Sequence, residues 1–190
     1  MIRWLLWLLA GALLGGIVHL VAVLILPMTE TQDAYSRLTP LAAMNTVAPV
    51  PQPTPQNEIM PFMDPAIATA VCRYDLSTGP IKLSVPLSQA YTSVSFYTRR
   101  GVAYYAINDR AAGRRQIELQ LMTAAQRADL PEDEDVTAAY RLIVESPSVT
   151  GLILLKALAP EPGLMPAARA VLTTATCQSE PMPAAALDNR

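Results

Sequence analysis

The chain opens on an unbroken apolar run, WLLWLLAGALLGGIVHLVAVLIL from Trp4 to Leu26, without Asp, Glu, Lys or Arg. A helix rises 1.5 Å per residue, so this run spans about 34 Å, enough for a hydrocarbon core of about 30 Å. Trp4 and Trp7 sit at one end, where indole rings prefer the membrane interface, and Pro27 closes the other. A secretory signal peptide is the competing reading. Its apolar region is shorter, about 7–15 residues, and is followed by a small-x-small cleavage site, which ILPMTE does not offer. The run therefore predicts an uncleaved anchor over residues 1–27. Arg3 lies before it, whereas Glu30 and Asp33 come before Arg37 on the other side. The positive-inside rule then places the N-terminus in the cytoplasm. Gly11 and Gly15 form a small-residue pair that would let a second helix approach closely, although such pairs also arise by chance in glycine-rich spans. His19 reads either as an intramembrane functional group or as a neutral imidazole bonded to a carbonyl or a neighbouring helix.

Beyond the anchor the pattern changes twice. Thr, Glu and Asp near residue 30 suit a helix start and predict a short helix around Gln32–Leu38. Pro49, Pro51, Pro53, Pro55, Pro61 and Pro65 then exclude a regular helix over residues 47–65. That stretch reads as an extended linker or as a segment draped over the domain. From Ala66 onward strands dominate. ATAVCRYDL, the STGP turn and IKLSV come first. In TSVSFYT, Thr92, Val94 and Phe96 share one face. VAYYAI follows the RRG turn. In RQIELQLM, Ile117, Leu119 and Leu121 alternate with polar residues. VTAAYRLIVE alternates through Ala138, Tyr140, Leu142 and Val144. GLILLKAL is apolar throughout and reads as a buried strand. Leu164, Ala168, Val171 and Leu172 are spaced for a closing helix that ends near Cys177.

The layout is an anchor (1–27), a short helix and Pro-rich linker (28–65), a β-rich domain (66–177) and a disordered tail (178–190). Seven or so strands, one closing helix and no βαβ alternation predict a mainly β fold. The expected form is an antiparallel β-sandwich or strongly bent sheet with the C-terminal helix packed on it.

Charge and cysteine content narrow the possibilities. A net charge of −2 and pI near 5.4 argue against nucleic acid as a partner. Cys72 and Cys177 are the two cysteines. Outside the cytoplasm they suggest one disulfide, which would pin the closing helix to the first core strand; in a cytoplasmic domain they would be two unpaired buried thiols. His19 is the one histidine, so a His-containing catalytic triad or a His-ligated zinc site cannot be built in the domain. No phosphate-binding glycine motif occurs, so no nucleotide, metal or other cofactor is expected.

Two stretches carry the resemblance to a family. The first is Asp75-Leu76-Ser77-Thr78-Gly79-Pro80-Ile81 with Val85-Pro86, and the second is Tyr91-Thr92-Ser93 with Tyr97. PFMDPAIATAVCRYDLS (61–77) and GLILLKALAPEP (151–162) match its short, singly anchored members. The chain resembles the bacterial domain-of-unknown-function 1254 family over roughly residues 30–177. The resemblance implies a mainly β fold and no established reaction. In long members a second mainly β domain, of the 1214 unknown-function family, follows. With the chain stopping at residue 190, that second domain is expected to be missing here.

Two charge clusters remain. Glu132, Asp133, Glu134 and Asp135 read as a solvated acidic loop. Arg99, Arg100, Arg110, Arg114 and Arg115 lie among Tyr97, Tyr104 and Tyr105. They read either as an anionic-ligand, lipid or partner site, or as solvated turns. Two functions follow. The first is a non-catalytic envelope protein in the inner membrane, its domain periplasmic, paired with a separate chain of the 1214 type through the anchors and a sheet edge. The second is a module, binding or enzymatic, that uses Arg99, Arg100, Arg110, Arg114, Tyr97 and Tyr104 on an anionic small ligand or lipid.

Overall fold

The apolar run forms helix α1, Ile2–Thr29, in a computed structural model that describes residues 1–29, 33–56, 59–112, 115–130 and 142–180. Its residues Ile2–Leu26 are long and apolar enough to cross a membrane, and all are exposed. A helix apolar on every side needs lipid or a protein core around it. The helix runs two residues past Pro27, which has no N–H to give to the carbonyl four residues before it.

The second unit begins at Ala34. It contains α2 (Ala34–Leu38), β1 (Val47–Pro49), β2 (Ile67–Asp75), β3 (Ile81–Pro86), β4 (Thr92–Thr98) and β5 (Ala103–Asn108). There follow α3 (Asp109–Ala112), β6 (Gln116–Thr123), α4 (Ala124–Ala128), β7 (Leu142–Ser146) and β8 (Thr150–Leu158). A 3-10 turn (Pro162–Leu164) leads into α5 (Met165–Thr173), and β9 (Thr176–Ser179) closes the described chain. One sheet has the order β1-β2-β8-β4-β5 and the other β7-β6-β3-β9. The fold is mainly β, in two sheets that bury a common core. Tyr74, Phe96, Ile153 and Leu155 come from the first sheet, and Ile81, Leu83, Ile117 and Leu121 from the second.

The alternating pattern of β4 and β6 translates directly into burial. Thr92, Val94 and Phe96 point inward, as do Ile117, Leu119 and Leu121. GLILLKAL is β8, the centre of its sheet. Ile153 and Leu155 face the common core, while Leu152 and Leu154 face a second cluster on the outer side. That outer cluster includes Tyr35, Leu38, Ala42 and Val50. Residues 34–65 therefore do not stand apart as a linker. They cover the outer face of the sheet, and Pro49 sits in the edge strand β1, where its missing N–H is tolerated.

Three expectations change. The sheets are not wholly antiparallel: β6 and β7 pair in parallel, from Leu119 with Leu142 to Thr123 with Ser146. Parallel neighbours need a long connection, which residues 124–141 supply. The closing helix ends at Thr173, with Ala168 and Leu172 buried and Leu164 exposed. Cys177 lies in β9 rather than at the helix end, and β9 takes Gln178 and Ser179 out of the expected tail. Pairing with β3, the bond from Glu180 N–H to Pro80 O (2.8 Å) and the Lys82–Glu180 ion pair hold this segment in place. The Cys72–Cys177 disulfide thus joins β2 of one sheet to β9 of the other. The acidic loop, Ala138, Tyr140, Arg114 and residues 181–190 lie outside the described residues.

Candidate functional site

Chain proximity does not survive as spatial proximity in the predicted Arg/Tyr cluster. Arg99 and Arg100 form the tip of the β4–β5 hairpin, whereas Arg110 lies in α3, at the far end of β5. Six strand residues separate the two groups by about 20 Å. The tyrosines divide by face. Tyr97 packs on the outer cluster under residues 34–65, and Tyr104 packs on the common core. A groove of about 330 Å³ between β1 and α5 is lined by Pro49, Val50, Thr69, Arg169 and Leu172, and by none of the predicted residues.

Arg99 has other neighbours. Its guanidinium carbon lies 5.2 Å from the centre of the Tyr35 ring, and that of Arg73 lies 4.9 Å from the same ring. Arg73 also donates to the carbonyls of Thr39 and Ala42 (3.2 Å each) and to the Tyr35 hydroxyl (3.3 Å). A guanidinium over an aromatic face is held by the ring's negative quadrupole. Tyr35 and Arg73 escaped the sequence reading. The available signal was Arg73 itself, a long cation in the strand ATAVCRYDL, which would otherwise face an apolar cover. Among the described residues neither Arg99 nor Arg100 has a carboxylate partner; the ion pairs there are Lys82–Glu180 and Arg127–Glu145. Asp75, at the same end of the sheet, turns its carboxylate onto Ser77 and accepts from its N–H at 2.9 Å. Hydrogen bonds from the Ser77 side chain and backbone hold this carboxyl below the usual range.

A second constellation is buried. The Tyr74 hydroxyl meets Ser146 Oγ at 3.0 Å, accepts from the Tyr104 hydroxyl at 3.1 Å and reaches the Tyr97 carbonyl at 3.4 Å. Ser146 Oγ in turn donates to the Ser148 carbonyl at 2.7 Å. This chain of hydroxyls crosses from one sheet to the other and satisfies polar groups that would otherwise be costly to bury. Burial raises the pKa of Tyr104 above its ordinary 10.0. The folded chain therefore holds this proton more tightly than the unfolded one. Its contribution to stability is complete below pH 10.0 and falls as pH rises above it. Urea midpoints measured between about pH 9 and pH 11 should drop, and Tyr104→Phe should flatten the drop. An equally steep loss in Tyr104→Phe would assign the alkaline limb to other groups.

Among the described residues, no group of three or more His, Cys, Asp or Glu side chains is placed to hold a metal ion. The arrangement offers exposed guanidiniums for anions at one end and a satisfied hydroxyl network in the core.

Comparison with known proteins bears on the fold. The crystal structure of the VPA0106 protein from Vibrio parahaemolyticus matches with a TM-score of 0.56 at 12% identity, over 78% of this chain and 34% of that one. A crystal structure of an uncharacterized protein from Burkholderia cenocepacia gives a TM-score of 0.47 at 12% identity, over 78% and 37%. This chain thus spans about a third of the length of each. No curated protein matches it. The family described as "Protein of unknown function (DUF1254)" matches residues 44–179. That range holds both sheets and most of the 190 residues, and the chain belongs to this family.

Proposed function

We propose that this chain is a single-pass protein of the bacterial inner membrane, with its N-terminus cytoplasmic and its β domain periplasmic, that works by association with a second membrane protein. The observation that carries the reading is a charge-free span, Ile2–Leu26, on the same chain as a domain closed by the Cys72–Cys177 disulfide. Disulfides persist in oxidising compartments and are rare in the cytosol. Two surfaces favour association. At Gly11 and Gly15 an added Cβ meets nothing within 4 Å, so this face of α1 is open to another helix. Among the described residues no strand pairs with the outer edge of β5, and such an edge is a template for another chain. The fold also occurs beside further protein, since the match takes up only 34% of the VPA0106 chain. A separate membrane-anchored chain of the 1214 unknown-function type is the partner assigned here.

Topology is tested by fusing alkaline phosphatase or a fluorescent protein to the C-terminus. Phosphatase activity is expected; fluorescence of a cytoplasmic fusion would reverse the orientation. Association is tested by co-purification from detergent. Wild type should bring down the partner, and Gly15→Leu should recover less of it. Recovery of this protein alone, with Gly15→Leu and wild type indistinguishable, removes pairing through the anchor. A second reading, an anionic small-ligand or lipid-binding module, is favoured by the guanidiniums of Arg99 and Arg100, which have no carboxylate partner among the described residues.

A further inference from the structure

Strand register gathers several loops at one end of the five-stranded sheet. Asp75, the last residue of β2, pairs with Thr150, and Thr98, the last residue of β4, pairs with Gly151. The β4–β5 tip closes there with Val102 O accepting from Thr98 N–H at 2.9 Å. Val149 O accepts from Leu76 N–H at 2.9 Å, and Asn45 accepts from Asp75 N–H at 2.8 Å. Met44 is bridged to Arg73 beside them. This end exposes three large apolar side chains: Val102 at 61%, Val149 at 49% and Met44 at 40%. The same end carries the exposed cations Arg99 and Arg100, neither of which has a carboxylate partner among the described residues. Apolar tips among cations, with the Asp75 carboxylate at this end turned onto Ser77, match the charge and layering of an anionic lipid surface.

The chain also enters the domain at this end. Tyr35, the second residue of the unit, lies against the guanidiniums of Arg73 and Arg99. It is six residues beyond Thr29, the last residue of α1. Six residues of extended chain reach about 20 Å at most. A connection this short limits how far Tyr35 can stand from the end of α1.

We infer that this end of the domain rests on the bilayer that α1 crosses. Arg99 and Arg100 contact the phosphates of anionic lipids, and Val102, Val149 and Met44 enter the headgroup layer. The inference rests on the reading of α1 as a membrane anchor. The planar fork of arginine suits phosphate oxygens. Near an anionic surface each such cation favours contact by about fivefold. The two together favour the docked orientation by roughly 25-fold. Docking this way points the strands of the sheet away from the membrane and leaves the β5 edge free to pair.

The test uses the full chain in nanodiscs containing phosphatidylglycerol and a lipid with a spin label at its headgroup. A bimane label is attached at Val102→Cys, and in a second sample at Ala90→Cys, at the opposite end of the sheet. Quenching is expected at residue 102 and not at residue 90. It should fall severalfold in R99A/R100A and in nanodiscs of phosphatidylcholine alone. All of these positions are exposed, so the fold is not at stake. Equal quenching at both labels overturns the inference, as does quenching at residue 102 that ignores the arginines and the lipid charge. If a pyrene label at residue 102 shows excimer emission without lipid quenching, a second copy sits there and the lipid assignment falls. Alkaline carbonate extraction of native membranes separates the two readings. A chain released by carbonate overturns the anchor and this inference together, whereas a retained chain with unquenched residue 102 overturns this inference alone.

Discussion

Removing the Cys72–Cys177 bridge is expected to lower the stability of the β domain by about 4–5 kcal/mol, the largest effect of any change proposed for this protein. The bond closes a loop of 105 residues, and in the chain-entropy model the effect grows with the logarithm of loop length. Both cysteines are buried in the common core, so the bridge also fixes how β2 and β9 face each other across it. Against a typical total of about 5–15 kcal/mol, such a loss leaves a domain that is marginal at best. The measurement is urea unfolding of the full chain in detergent, followed by tyrosine fluorescence, with and without reductant. With a slope of about 2 kcal/mol per molar urea, the midpoint should move by about 2 M. A C72A/C177A variant should show the lower midpoint and no response to reductant. A wild-type midpoint that reductant leaves unchanged would remove the bridge from the account of stability. It would also remove the main support for an oxidising compartment.

Gly151→Ala is expected to destabilise the domain by about 3 kcal/mol or more, from a single added methyl group. Gly151 is an inward-facing position of β8, paired with Tyr74 on one side and Thr98 on the other. The Tyr74 phenol crosses over it to reach the Tyr97 carbonyl, Tyr104 and Ser146. A Cβ at residue 151 would overlap the Tyr97 carbonyl oxygen and the hydroxyl end of the Tyr74 ring. Tyrosine can rotate only by abandoning its buried partners, which leaves Ser146 and Tyr104 short of hydrogen bonds. The carbonyl is backbone in a paired strand and can move only if β4 and β8 separate. The double variant separates the two causes. Tyr74→Phe removes the hydroxyl clash but neither the carbonyl clash nor the one with the ring carbon Cζ, so Gly151→Ala should still be destabilising in a Tyr74→Phe background. Full recovery in the double variant would show that the hydroxyl was the whole obstacle. A Gly151→Ala chain that unfolds like wild type would mean that the two strands open at little cost.

Parts of this fold were legible because one local signal sufficed. Trp4–Leu26 needs only length and the absence of charge to read as a span. The strands β4 and β6 need only alternation, since each has one wet face and one dry one. For β8 the continuous apolar run announced burial on both faces, although the cover on its outer face stayed hidden. That cover is the Pro-rich stretch, which reads equally as a linker or as a segment draped over the domain, because proline pattern reports conformation and not contact. The parallel pairing of β6 with β7 was missed for a related reason, since alternation says which face is buried and nothing about strand direction. At β9 the polar residues Gln178 and Ser179 pointed to a tail, but the backbone of β3 had an unfilled edge and the bonded Cys177 held the segment against it.

The Arg/Tyr cluster shows the same limit more sharply. Arg99 through Arg115 are close along the chain, and although VAYYAI between Arg100 and Arg110 reads as a strand, that local reading did not stop the arginines from being grouped as one cluster. The strand carries the two groups to opposite ends of the sheet. Tyr35, 64 residues before Arg99, takes their place as its neighbour. The buried hydroxyls of Tyr74 and Ser146 are 72 residues apart and were equally invisible.

The sequence by itself determined the apolar span, the mainly β character, the buried face of each alternating strand, the absence of histidine from the domain and the pair of cysteines. Each depends on hydrophobicity, side-chain period or composition, which are properties of a residue and its near neighbours. Only the tertiary structure decided strand order and direction, the covering role of residues 34–65, the place of the disulfide across the two sheets and the gathering of Arg99, Arg100, Val102 and Val149 at one end. Each of these is set by which distant segments meet. That choice is made by packing the whole core at once, and no local pattern encodes it.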